Sequence, residues 1–81
     1  MNDDLVQFAR AEIWRHVAEH PDSVDTLEGI HQWWIHWPGP GESLHITLAA
    51  LEQLKLDGLM ESRPVGQHLL WLRHRSDPAS L

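Results

Sequence analysis

The chain has 81 residues, enough for one small domain and not for two. Twelve acidic residues against six Lys and Arg give a net charge of −6, and 42 % of residues are apolar, five of them Trp, a balance that excludes a disordered chain. With no cysteine, disulfides, Cys-based zinc sites and a thiol nucleophile are excluded as well.

The opening Met1-Asn2-Asp3-Asp4 is acidic where a signal peptide is basic, and the longest apolar run, at 69–72, has four residues. A bilayer span needs about 20. The expectation is a cytoplasmic protein with no membrane partner. A first helix is predicted from an Asp3 or Asp4 cap to near His20, where Pro21 stops it. Leu5, Ala9, Ile13 and Val17 recur every four residues, with Val6 beside them, as an apolar stripe. Asp25 and Glu28 have capping-box spacing ahead of a second helix, on which Leu27, Ile30 and Trp34 share one face. That helix cannot pass Trp37-Pro38-Gly39-Pro40-Gly41. A third helix is predicted from a Ser43 cap to Asp57-Gly58, with Leu44, Thr47, Leu48, Leu51 and Leu54 facing the core. Two strands follow, at about 59–63 and 68–73, joined through Pro64-Val65-Gly66-Gln67. The expected class is α+β and mostly helical: three helices, then a C-terminal two-stranded β-hairpin. A single domain over 1–75 and a flexible tail over 76–81 complete the expectation.

The run Ala50-Leu51-Glu52-Gln53-Leu54-Lys55-Leu56-Asp57-Gly58-Leu59-Met60-Glu61-Ser62-Arg63 resembles the passage from recognition helix to wing in the winged helix-turn-helix superfamily. Leu51, Leu54 and Leu59 match its core positions and Gly58 its helix stop, and the resemblance covers roughly residues 3–74. It implies a three-helix domain with a hairpin wing. It also implies double-stranded DNA binding, with helix 3 in the major groove and the wing on the backbone. Phosphate contacts supply most of such affinity and require cations. On a helical wheel the outward face of helix 3 carries Ile46, Ala49 and Gln53, flanked by His45, Ala50, Glu52 and Leu56, with no Arg or Lys. Many DNA-binding relatives place an Arg where this chain has Ala49. Residues 1–57 carry a net −7 and residues 58–81 a net +1, so only the wing could touch phosphate. The nucleic-acid candidates are His45, Arg63, His68, Arg73 and Arg75.

Trp33 and Trp37 lie off the core stripe of helix 2, and Phe8 and Trp14 off that of helix 1. Two readings stand for the tryptophans: packing under the Pro-Gly loop, or an interface, where Trp is enriched. Trp71 sits in an all-apolar strand that can bury either face. With Ile46, Ala49 and Leu56, this is more apolar surface than one small core needs, and a partner protein or a second copy accounts for it. The candidate protein interface is therefore Trp33, Trp37, Ile46, Ala49, Gln53 and Leu56.

Seven histidines include His16 and His20, four apart, which with Glu19 spell the H-x-x-E-H of zinc peptidases. Such enzymes are far larger and take a further ligand well downstream, so semi-buried histidines are expected here and no metal or cofactor. No nucleophile elbow, phosphate loop or dinucleotide fingerprint is present. The expectation is a non-enzymatic protein-interaction or adaptor module, possible as a homodimer, with a DNA-binding regulator as the alternative.

Overall fold

The computed structural model describes residues 3–39 and 42–74. Arg75 and the expected tail over 76–81 lie outside the described residues. The fold is α+β and mostly helical, with three helices and a three-stranded antiparallel sheet.

Helix α1 spans Asp3–Glu19, opening on Asp3 and Asp4, whose charges suit the helix dipole. Val6, Ala9, Ile13 and Val17 are buried at three- and four-residue steps, as the stripe requires, while Leu5 is half-buried at its edge. Strand β1, Val24–Thr26, was not expected. It pairs with β3 to give the order β1-β3-β2, so the hairpin is part of a three-stranded sheet. Three residues are too few to show an alternation, and Asp25 and Thr26 read as cap chemistry instead.

The cap of α2 is Thr26, not Asp25. The Thr26 hydroxyl accepts from the Gly29 amide at 3.2 Å, while the Asp25 carboxylate accepts from the Thr26 amide at 2.8 Å. Helix α2 is α-helical over Leu27–Gly29 and widens to a π-helix over Ile30–Trp34. It ends three residues short of Trp37, with Ile35 extended and buried. Side chains supply the reason. The His36 amide donates to Glu12 Oε1 on α1 (3.2 Å), and Trp37 Nε1 donates to the His31 carbonyl (2.9 Å).

Helix α3, Leu44–Leu56, starts on Ser43, whose hydroxyl accepts from the His45 amide. It stops at Gly58, with φ of +76°, and the Gly58 and Leu59 amides bond back to the Lys55 and Leu54 carbonyls in a Schellman motif. Its buried face is Thr47, Ala50, Leu51 and Leu54. Relative to the expected core face this is rotated by roughly half of one residue's 100° step. Leu44 is exposed, Leu48 is half-buried, and Ala50, expected at the outer flank, is fully buried. The close approach of α1 selects the small Ala50 over a leucine.

Strands β2, Met60–Val65, and β3, His68–Arg73, pair from Met60↔Arg73 to Val65↔His68 around a two-residue Gly66-Gln67 turn. Pro64 was expected in the connection and lies in β2 itself, which an edge strand tolerates. Met60 and Trp71 face inward and close the core, which α1 supplies with Ile13, α2 with Ile30 and Trp34, and α3 with Leu51 and Leu54.

Candidate functional site

Helix α3 lies between α1 and the hairpin, and both neighbours take part of its surface. On one side Gln7 Nε2 donates to Gln53 Oε1 at 3.3 Å and Arg10 pairs with Asp57. On the other, Lys55 donates to the Ser62 hydroxyl at 3.0 Å and sits 5.8 Å from the centre of the Trp71 ring. The solvent keeps His45, Glu52 and Leu56, with Leu44 and Lys55 at the margin. Leu56 is 86 % exposed and Leu44 41 %.

The six expected interface residues divide. Ile46 and Ala49 are half-buried against the core, and Gln53 is half-buried beside α1. Trp37 folds under the Pro-Gly loop, 6.0 Å from the Phe8 ring, as the packing alternative had it. Trp33 and Leu56 are exposed, but Trp33 lines a cleft against α1 and Leu56 lies in the last turn of α3. Leu44 was missed because its apolarity reads as core.

The hairpin cations are engaged. Arg63 Nε donates to Glu61 at 2.7 Å, and His74 lies 3.1 Å from the other carboxylate oxygen. The Arg63 hydrogen bond, with help from His74, holds the Glu61 carboxyl below its ordinary range. Arg73 lies back over the Trp14 ring, 5.5 Å from its centre. His45 leans toward its own cap, Ser43, and His68 is exposed beside the turn. Charge that faces its own carboxylate and indole is not presented as a basic strip.

Two concavities complete the surface. A groove of about 240 Å³ between α2, α3 and the hairpin is lined by Leu27, Leu48, Leu69 and Trp71. A larger cleft of about 530 Å³ separates α1 from α2 and is lined by Glu12, Arg15, His16, Glu19, His20, Trp33, Trp34 and His36. There His16 stacks on Trp34 (4.3 Å between centroids, 17° between planes) and its Nε2 meets the Ser23 hydroxyl at 3.1 Å. Burial lowers the His16 pKa from its ordinary value. The nearby His20, with rings 5.1 Å apart, adds to this, and Glu19 and Asp25 oppose it. Glu12 holds Arg15 at 2.6 Å, an i,i+3 pair visible in the sequence although the cleft it belongs to is not.

Among the described residues no group of three His, Cys, Asp or Glu is placed to hold a metal ion, and no helix is long and apolar enough to cross a membrane. The H-x-x-E-H spacing thus produces a stacked, hydrogen-bonded histidine beside a second imidazole. No family model, curated protein or solved structure matches the chain.

Proposed function

We propose that this chain is a small non-enzymatic winged-helix domain that works as a protein-interaction module, and that the partner of its α3 face is a second copy of itself. The order helix, strand, helix, helix, hairpin and the Gly58-Leu59 passage support the fold reading. One observation carries the functional reading. The solvent face of α3 is close to neutral, with Glu52 against Lys55, and is apolar at both ends through Leu44 and Leu56. These leucines are about 18 Å apart along the axis at 1.5 Å per residue. Two copies of α3 running antiparallel across a two-fold axis set Leu44 of each against Leu56 of the other, which is the self-complementarity an isologous interface needs. A chain of net −6 repels its own copies elsewhere, and this face does not.

Sedimentation equilibrium of the full chain tests this. A dimer is expected at tens of micromolar, and Leu56→Asp is expected to give a monomer with an unchanged circular dichroism spectrum. A wild-type monomer overturns the reading. The alternative, DNA binding through His45, Arg63, His68 and Arg73, predicts retardation of duplex DNA that weakens steeply between about 50 and 200 mM salt. Their engagement with Ser43, Glu61 and Trp14 weighs against it.

A further inference from the structure

We infer that the cleft between α1 and α2 receives a Lys or Arg side chain from a basic segment of a partner protein, and that protonation of its histidines expels it. The inference rests on the reading of the chain as a protein-interaction module and gives it a second, separate face.

The cleft differs from the leucine groove in chemistry. Its polar wall is α1, with Glu12, Arg15, His16, Glu19 and His20, and its other wall carries Trp33, Trp34 and His36. Trp33 is 70 % exposed, so an indole face is on offer at the mouth, and a desolvating cation is its favourable partner in a polar surround. The two carboxylates are not equivalent. Glu12 is engaged with Arg15 and the His36 amide, which shows this wall already seating a guanidinium on a carboxylate. Glu19 is exposed, and no Lys or Arg pairs with it among the described residues. A cation between Glu19 and Trp33 repeats the Glu12 arrangement one helical step on. The net −7 of residues 1–57 draws a basic segment toward this face from a distance.

The histidines set the condition. With His16, His20 and His36 neutral, Glu12, Glu19 and Arg15 leave the cleft with a net charge of −1, and Asp25 on β1 adds its field behind His16. With all three protonated the lining carries +2. Imidazoles titrate between pH 5 and 8, so a cation held at neutral pH is repelled in mild acid.

The test uses the full chain and an acetylated, amidated hexaarginine peptide, followed by tryptophan fluorescence and calorimetry, with hexaglutamate as the opposite-charge probe. Binding is expected at about pH 7.5 and is lost by about pH 5.5. Trp33→Ala and Glu19→Gln each weaken it by about fivefold or more. Glu28→Gln, an equal charge change at an exposed position of α2, alters it less than about twofold. Equal effects of Glu19→Gln and Glu28→Gln reduce the attraction to net charge and overturn the site, as does binding that survives acid or favours hexaglutamate. Leu56→Asp is expected to bind the peptide as the wild type does. Dimerisation without peptide binding therefore sinks this inference alone, and peptide binding by a monomer sinks the α3 reading alone.

Discussion

A β-carbon at Gly29 would fall on the Asp25 carboxylate, which is fixed there by its bond from the Thr26 amide. Alanine normally stabilises a helix interior by about 1 kcal/mol over glycine. Here Gly29→Ala displaces a charge-assisted hydrogen bond, and a net loss of about 1 kcal/mol is expected in urea unfolding. In an Asp25→Ala background the same substitution is expected to reverse sign, and a double-mutant cycle reads the coupling. His16 gives a second case at this scale. Its folded-state pKa is lowered by burial first and His20 second, so the unfolded chain takes up the proton first as pH falls. The stability His16 contributes is therefore complete above its unfolded pKa of about 6.5 and is lost progressively below it. His16→Phe keeps a ring on Trp34, and its urea midpoint is expected to fall less than the wild type's between about pH 7.5 and 5.5.

Helices were legible where a local signal fixed them and illegible where a neighbour did. The α1 stripe, the Ser43 cap and the Gly58 stop each depend on residues within one turn, and each stands as read. Gly58 has open space where a β-carbon would go, so its requirement is the positive φ alone. Gly58→Ala is expected to cost about 1 kcal/mol in the urea midpoint, with the fold retained. The facing of α3 was not legible. Leu44 and Leu48 look like core and Ala50 like surface, but the approach of α1 buries Ala50 and leaves Leu44 in solvent. Strand β1 exists only because β3 offers it an edge, a non-local cause that three residues cannot announce. The candidate site inherits the same divide. Trp33 and Leu56 stood out as large apolar side chains off the stripes, whereas the α1–α2 cleft needed the π-helical turn before its lining came together.

At the scale of the molecule, the two proposed faces carry different demands. Self-association through α3 is apolar at its centre and should persist in high salt, while cation capture in the α1–α2 cleft is electrostatic and should weaken there. The sheet is guarded against a third mode of association. Strand β1 has three residues, and β2 carries Pro64 with the paired Glu61 and Arg63 along its open edge, features that oppose edge-to-edge pairing. Leu56→Asp is accordingly expected to leave a stable monomer, with no aggregate in light scattering.

The widened turn at Ile30–Trp34 means that the chain between β1 and α3 holds spare length coiled into it. Excising Gln32, an exposed position, would tighten that coil to ordinary α pitch and turn everything beyond it by about 100°. Trp34 would leave His16, Trp37 would leave the His31 carbonyl, and the cleft would lose its far wall. A one-residue deletion at the surface would thus do more harm than most substitutions in the interior, and lengthening the Pro-Gly loop could not restore the lost phase.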